Sequence, residues 1–218
     1  MTRIILQPGN GSRETMKAWS AARALGVECV CTSQVLPGDV PVGDVPYCEA
    51  VMLGQGIAVP KPDFYPRWLY FWMHRDRYYV PEGTPIAVSC RPWFIKPAGA
   101  YKSEPARVLP AYHPFPHGYY VASEVVQFTQ EWRYYVADGQ VVTTGWYDGD
   151  NEEEPAPELG IDWPKGFCGA VDFGRLSTGE IALVESHHPY ACGWYGDDEE
   201  LFLLWLITGW EYLSNDSI

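Results

Sequence analysis

The sequence has 218 residues, of which 47% are hydrophobic, so it is long enough for one domain or two closely packed small domains with a full core. Its 28 acidic and 15 basic residues give a formal net charge of −13, which argues against a nucleic-acid backbone or an anionic membrane as the main partner. There is no apolar run long enough to span a membrane, and the first residues lack the long apolar region of a signal peptide. The six cysteines form no Cys-x-x-Cys pair, and we interpret them as reduced thiols of a cytoplasmic protein.

The first 58 residues predict a small α/β unit. A short strand, Arg3–Leu6, is followed by a turn-rich loop, and Ser12 then provides the N-cap of a helix that ends at Gly26. Residues 27–31 are the next strand, so the order strand, helix, strand predicts a right-handed parallel crossover. The loop could bind an anion at the helix N-terminus, but an ordinary turn between strand and helix is the favoured interpretation.

Residues 34–63 are rich in proline and glycine, and they predict loops around one short strand at 50–53. We place a linker near residues 58–63, so that a second domain covers residues 59–218. Residues 66–79 predict an aromatic-rich packing helix. Three arginines lie on it, Arg67, Arg75 and Arg77. The alternative for this stretch is that one of these arginines meets a substrate carboxylate.

Further strands are predicted at residues 86–88, 93–96, 107–109, 119–126, 132–136 and 140–145. Asp138-Gly139 is a strong hairpin-turn signal, so the last two strands should pair antiparallel. The acidic run at residues 148–158 is interpreted as a solvated loop. Residues 198–213 predict an amphipathic C-terminal helix.

A lysine ends the apolar strand at residues 93–96. Burying an unpaired ammonium is costly, so Lys96 needs an anionic partner. The loop at residues 98–101 consists mostly of small side chains, so it is small enough to close over phosphates. Lys102 follows this loop directly. The alternative is a strand-end lysine whose ammonium reaches water.

Residues 170–188 predict a hairpin with two acids inside its strands, Asp172 and Glu185. Side chains alternate faces along a strand, so Glu185 and His187 should point the same way. The only basic residue close in sequence is Arg175, near the turn, so the two carboxylates should repel each other and attract Mg2+ or Mn2+. The alternative is a hairpin whose acids lie on a solvated face.

The order and spacing of these pieces resemble the ATP-grasp superfamily, and most of all a small clade named for a characteristic arginine and two lysines. The resemblance covers roughly residues 60–212. The matching pieces are Lys96 with Lys102, the strand at 119–126 leading to Glu131-Trp132-Arg133, and Asp172, Glu185 and His187. The resemblance implies an α+β ATP-grasp fold, in which two α+β subdomains hold ATP between them after a small α/β N-terminal unit.

The resemblance also implies the residues that bind the nucleotide. Three consecutive residues would form the hinge that reads adenine through backbone groups, Glu124, Val125 and Val126. Glu131, or else Gln130, would meet the ribose hydroxyls. Lys96 and Lys102 would bind the phosphates, with Lys102 acting also in catalysis.

For the chemistry, the resemblance implies that Arg133 acts on the transferring phosphoryl group; the alternative for Arg133 is a surface cross-strand ion pair. Asp172 and Glu185 match the metal ligands of the family. In the family pattern Glu-x-Asn the third ligand is an asparagine, and His187 stands in its place.

The implied activity is an ATP-dependent carboxylate–amine ligase that works through an acyl-phosphate intermediate, with ATP and Mg2+ or Mn2+ as cofactors. Its partners would be small-molecule or peptide carboxylates and amines, with neither nucleic acid nor membrane involved. Two alternatives stay open. One is a non-catalytic nucleotide-binding or interaction protein on the same scaffold, and the other is a small-molecule kinase.

Overall fold

The computed structural model describes residues 2–81, 89–101 and 103–215. In that part of the chain the fold consists of three α-helices and three sheets, one parallel and two antiparallel, so the predicted α+β class is confirmed. Two predicted pieces, the strand at residues 86–88 and Lys102, lie outside the described residues. No helix within the described ranges is long and apolar enough to cross a membrane.

The parallel sheet belongs to the N-terminal unit. In spatial order it contains β2 (Glu28–Cys31), β1 (Arg3–Leu6) and β3 (Asp39–Val42). The parallel pairing in the predicted crossover is confirmed, because α1 (Arg13–Leu25) connects two parallel neighbours, and its right-handedness stays a prediction. Ser12 accepts a hydrogen bond from the Thr15 N–H at 3.3 Å, and Gly26 ends the helix at a left-handed φ of 67°.

Two predictions between residues 45 and 80 are wrong. Residues 50–53 lie in a helix, α2 (Val45–Gly54), and not in a strand. A short apolar run has no periodicity that separates a buried strand from a buried helix, and here Asp44 starts a helix by accepting from the Tyr47 N–H. Residues 66–79 form only a short 3-10 helix (Arg67–Trp72), after which the chain becomes a strand, β4 (Arg77–Val80).

The first antiparallel sheet forms one wall of the candidate site. In spatial order it contains β4, β7 (Tyr120–Glu124), β5 (Trp93–Pro97) and β6 (Arg107–Leu109). Its apolar face has a small core of its own, formed by Trp93, Ile95, Tyr120 and Ala122. Lys96 stands on β5, one of the two inner strands, one position after Ile95 and so on the opposite face.

The second antiparallel sheet forms the facing wall. In spatial order it contains β11 (Ile181–His187), β10 (Gly169–Leu176), β8 (Phe128–Ala137) and β9 (Gln140–Gly149). The predicted turn joins β8 to β9, with φ of 47° at Asp138 and 73° at Gly139. The C-terminal helix α3 (Glu199–Asn215) packs on this sheet, where the Trp205 indole donates to the Val136 carbonyl at 3.0 Å.

One apolar core joins the N-terminal unit to the rest of the chain. It contains buried side chains of β1, α1 and α2 together with those of β8, β10, β11 and α3. The domain boundary near residue 58 therefore stays a prediction. The six cysteines all lie within the described residues, and none of them is in a disulfide.

Candidate functional site

Three charged residues lie side by side across three neighbouring strands. In the register of the sheet, Asp172 on β10 stands opposite Arg133 on β8 and opposite Glu185 on β11. Directly paired residues share a face of the sheet, and His187 is on the same face because it follows Glu185 by two positions. The cross-strand register, and not the hairpin alone, therefore assembles this row.

Arg133 and Asp172 form a buried pair with two hydrogen bonds. Arg133 Nε donates to Oδ1 at 2.7 Å and Nη2 donates to Oδ2 at 2.6 Å, and the side chains are 4% and 0% exposed. Burial opposes the charge of Arg133, but the Asp172 carboxylate raises the pKa of the guanidinium well above its ordinary value. The alternative of a surface ion pair is therefore wrong, although the pair is a cross-strand one.

Lys96 reaches across from the other sheet to Glu185. Its ammonium contacts Glu185 Oε2 and lies 4.1 Å from the centre of the Phe64 ring, and the side chain is only 20% exposed. Burial lowers the pKa of Lys96 to about 8, while the nearby Asp172 carboxylate acts in the opposite direction. The predicted anionic partner of Lys96 is thus present.

The expectation that the two hairpin carboxylates repel each other for want of a basic partner is wrong. Arg133 faces Asp172 from the next strand, and Lys96 faces Glu185 from the opposite sheet. Neither cation is close to the hairpin in sequence, so local spacing could not reveal them. Each carboxylate is neutralised by a cationic side chain. Repulsion between the two acids is therefore no argument for a metal ion, and metal ligation has to be judged from the positions of the ligand atoms.

Two cavities meet at Lys96 and Glu185, and both residues line both cavities. The smaller cavity, of about 260 Å³, is lined by the predicted hinge residues Glu124, Val125 and Val126. The larger cavity, of about 480 Å³, is lined by Arg133 and His187, among others. The structure therefore separates the predicted nucleoside residues from Arg133, with Lys96 between them.

The hinge is anchored at its first residue. The Glu124 carboxylate accepts from the Asp76 N–H at 2.7 Å and also contacts the Arg91 guanidinium, so this side chain has a structural role. Val125 and Val126 follow β7 and precede β8, outside either strand. Their backbone N–H and C=O groups are thus outside the sheet ladders. Backbone groups that recognise a base by hydrogen bonds must be outside the ladders in this way.

The structure distinguishes the two candidates for the ribose contact. Glu131 lines the smaller cavity, and burial raises its pKa to about 7, with the Asp172 and Asp148 charges adding to the effect. Gln130 is 3% exposed and accepts from the Asn151 N–H at 3.2 Å, so it holds the acidic loop instead. Glu131 is the residue that faces the cavity.

The segment between β11 and α3 forms part of the lining of the larger cavity. Its residues Gly193 and Tyr195 line the cavity, and the Gly193 carbonyl accepts from Arg133 Nη1 at 3.2 Å. Gly145 on β9 pairs with Arg133 on β8. It lets the segment with Tyr195 lie close to the sheet, because a Cβ at residue 145 would be 2.6 Å from the Tyr195 backbone. The Arg133 guanidinium lies beside two aromatic rings, 4.9 Å from the centre of the Tyr147 ring and 5.2 Å from the centre of the Tyr195 ring.

The predicted metal ligands lie together. One ligand atom from each of Asp172, Glu185 and His187 lies within 4.8 Å of the others, with His187 Nε2 3.1 Å from Glu185 Oε1. A carboxylate oxygen has two lone pairs, so Asp172 Oδ2 can accept from Arg133 and still face a cation. Two oxygens and an imidazole nitrogen fit Mg2+ or Mn2+, and ligation by these residues stays a prediction.

Sequence reasoning did not place Arg75 at the smaller cavity, although it named Arg75 as one of three arginines that could meet a substrate carboxylate. Arg75 lines this cavity, although its stretch of sequence indicated a packing helix. Its guanidinium donates to the carbonyls of Leu183 at 2.5 Å and Val184 at 3.1 Å. Three arginines in that aromatic stretch were a signal, but the sequence did not distinguish among them.

A family model described as an ATP-grasp domain of the R-two-K clade, family 2, matches residues 83–204, more than half of the chain. The chain belongs to this ATP-grasp clade. The match contains Lys96, Arg133 and the hairpin acids, so the residues that carried the resemblance are within it. No curated protein matches this ATP-grasp sequence.

Solved structures confirm the ATP-grasp fold over the whole chain. A D-alanine–D-alanine ligase from Bacillus anthracis, complexed with ATP, is 12% identical with a TM-score of 0.54, and the match covers 99% of this chain and 100% of that one. A RimK domain ATP-grasp protein from Sphaerobacter thermophilus is 11% identical, with a TM-score of 0.52 and 99% of both chains covered. The ATP-grasp ligase PsnB, complexed with a minimal precursor, is 13% identical, with a TM-score of 0.50 and 95% and 99% covered. At such low identities the likeness concerns the fold alone.

Proposed function

We propose that this ATP-grasp protein is an ATP-dependent carboxylate–amine ligase that works through an acyl-phosphate intermediate. The observation that carries the proposal is the position of Lys96 and Glu185 at the junction of two cavities. A nucleoside fits the side with the hinge, and the reacting groups fit the side with Arg133. The phosphates would run between them, past Lys96.

The first step is phosphoryl transfer. A carboxylate oxygen of the substrate attacks the terminal phosphorus of ATP, the bond to the bridging oxygen breaks, and ADP leaves with that electron pair. Lys96 and Arg133 stabilise the charge on the transferring oxygens, because their cations are held in place by carboxylates. Lys102, which lies outside the described residues, is proposed for the same task.

The second step joins the amine. Its nitrogen attacks the acyl carbon, the bond to phosphate breaks, and the nitrogen loses a proton. No protein nucleophile is needed, so the site contributes positioning and electrostatics. A divalent cation held by Asp172, Glu185 and His187 would supply charge neutralisation at the phosphates. The carboxylate and amine could belong to small molecules or to peptides, and PsnB of the same fold is complexed with a minimal precursor.

The test measures ADP formation with pools of carboxylic acids in the presence of hydroxylamine, a small amine that traps acyl phosphates as hydroxamates. ADP formation that requires an acid, with hydroxamate produced in equal amount, would support the ligase. Transfer of 18O from a labelled carboxylate into phosphate would demonstrate the first step. A stable phosphorylated product without phosphate release would instead identify a small-molecule kinase.

A non-catalytic nucleotide-binding protein is the second candidate. The observation that favours it is the Asp172 carboxylate, which is 0% exposed and has both oxygens bound to Arg133. If the pair persists in the nucleotide complex and keeps a cation away, the phosphates bind without turnover. Nucleotide binding that is unaffected by Mg2+, with no ADP formed from any acid in the pool, would select this candidate.

A further inference from the structure

The larger cavity contains two tyrosines to which the proposed mechanism gives no role. Tyr147 lies on β9 and Tyr195 lies in the segment between β11 and α3, and both line the cavity together with Arg133. The centres of the two tyrosine rings are 5.0 Å apart, and the rings are almost perpendicular, at 88°. The two side chains therefore form a corner of the cavity beside the Arg133 guanidinium.

Features of the backbone hold both rings in this corner. Tyr147 is the extra residue of a β-bulge in β9, between the residues that pair with Glu131 and with Trp132. Bulges next to active sites redirect the side chain of the bulged residue. Tyr195 is fixed through its backbone N–H, which donates to the Tyr135 hydroxyl at 2.7 Å. The position of both rings is thus determined by the sheet on which Arg133 stands.

Arg133 itself offers few hydrogen bonds to a molecule in the cavity. Its side chain is 4% exposed, and each of its three nitrogens already donates, two of them to Asp172 and one to the Gly193 carbonyl. Arg133 therefore supplies positive charge to this part of the cavity. An anion that is held there needs further donors.

The hydroxyls of Tyr147 and Tyr195 are suitable donors. Neither hydroxyl has a hydrogen-bond partner among the described residues, and neither oxygen belongs to the polar atoms that are closed off from water without a partner. Both side chains are half-buried and line the cavity, so both hydroxyls are accessible from it. Burial raises the pKa of the Tyr147 phenol, against the effect of the Arg133 charge, so this hydroxyl keeps its proton.

We propose that Tyr147 and Tyr195 are substrate-binding residues, whose hydroxyls donate to the carboxylate of the acid substrate in the larger cavity. This rests on the proposed ligase function, which requires a carboxylate on the Arg133 side of Lys96. The ligand class follows from the donors, because two neutral hydroxyls beside a buried guanidinium match a small anion that accepts hydrogen bonds. Arg133 stabilises this carboxylate by its charge while it stays bound to Asp172.

The experiment is a ligand-observed NMR titration of the full chain, loaded with a non-hydrolysable ATP analogue and Mg2+. The probes are acetate, benzoate and the neutral benzamide. Tyr147→Phe and Tyr195→Phe each remove one hydroxyl and keep the ring. Losing a hydrogen bond to a charged acceptor should weaken binding of the two carboxylates about 10- to 100-fold, and binding of benzamide far less. Affinity for the ATP analogue should not change.

The matched control is Tyr78→Phe, which removes a hydroxyl from a tyrosine of β4 that is 54% exposed and lines neither cavity. It should bind all probes as wild type does. In addition, with any acid that supports hydroxamate formation, Tyr147→Phe and Tyr195→Phe should raise KM for the acid more than they lower kcat. A role of the two tyrosines in packing alone would not produce this difference.

Four results would contradict the role of the two hydroxyls. They are a wild-type protein that binds benzoate no better than benzamide, carboxylate affinities equal to wild type in both variants, an equal loss in Tyr78→Phe, and a loss of affinity for the ATP analogue, which would assign the hydroxyls to the phosphates. A wild-type protein that binds the carboxylates but forms no ADP with any acid contradicts the ligase and not the carboxylate site. The two failures are therefore distinguishable.

Discussion

The Arg133 guanidinium and the Asp172 carboxylate form two parallel hydrogen bonds, of 2.7 and 2.6 Å, between paired positions of neighbouring strands. Both side chains are almost completely buried, so neither charge is stabilised by bulk water. The pair therefore fixes the direction of Arg133 towards the larger cavity, with the Gly193 carbonyl as a third acceptor. It also makes each residue dependent on the other for its charge.

We expect Asp172→Asn to destabilise the fold by about 3–5 kcal/mol, because it leaves a buried guanidinium without its counter-charge. The measurement is the free energy of unfolding in urea. The matched control is Glu154→Gln, which removes the acid from the more exposed pair with Arg175 at 2.5 Å and should cost far less. Equal losses in the two variants would mean that burial of the Arg133–Asp172 pair has no energetic consequence.

Glu185→Gln should uncouple nucleotide binding from Mg2+. Wild-type affinity for the ATP analogue should rise when Mg2+ is added, whereas the variant should bind equally with and without it. Affinity without Mg2+ should not fall, because Lys96 loses the carboxylate that competes with phosphate. Turnover should fall by about two to three orders of magnitude. Glu180→Gln, at an acid of the same hairpin with a side chain 60% exposed, is the control and should behave as wild type.

His187→Asn tests whether the imidazole stands at a ligand position. The change restores the family pattern at that position, so we expect turnover to persist. Imidazole favours softer metals than an amide oxygen does, so the preference for Mn2+ over Mg2+ should weaken. Metal titrations of the nucleotide complex give this ratio. An unchanged ratio would place the His187 ring outside the metal site.

Lys96→Met should remove most nucleotide binding, because Lys96 is the cation between the two cavities. In the wild-type protein, phosphate affinity should fall as the pH rises through about 8, the pKa to which burial lowers the Lys96 ammonium. Lys165→Met, at an exposed lysine, should keep both the affinity and its pH dependence. Calorimetric affinity between about pH 7 and 9 provides the measurement. Unchanged ATP affinity in Lys96→Met would exclude the proposed site.

Glu131 should make stability depend on pH. Burial raises its pKa from 4.5 to about 7, so between these values the folded state binds more protons than the unfolded state. This contribution is fully present below pH 4.5 and is lost as the pH rises through about 7. Glu131→Gln should remove that part of the pH dependence and be relatively more stable above pH 7 than wild type. The measurement is the free energy of unfolding in urea as a function of pH. If wild type and Glu131→Gln show the same pH dependence between pH 4.5 and about 7, the pKa of Glu131 is not raised.

The sequence by itself determined the order of the parts. It predicted the strand that ends at Lys96, the hairpin with Asp172 and Glu185, the common face of Glu185 and His187, and the turn at Asp138. These features depend on residues that are neighbours in sequence, because alternation along a strand and the φ preferences of a turn are local properties. The family resemblance rests on the same local pieces, and the family match confirms it.

Only the tertiary structure decided which charges meet. The partner of Asp172 is 39 residues away in sequence, and the partner of Glu185 lies on the other sheet. Strand register and the packing of one sheet on the other set these contacts, and neither is encoded in local periodicity. For the same reason Arg75 could not be chosen from its neighbours in sequence, since its acceptors lie at a bulge 108 and 109 residues away.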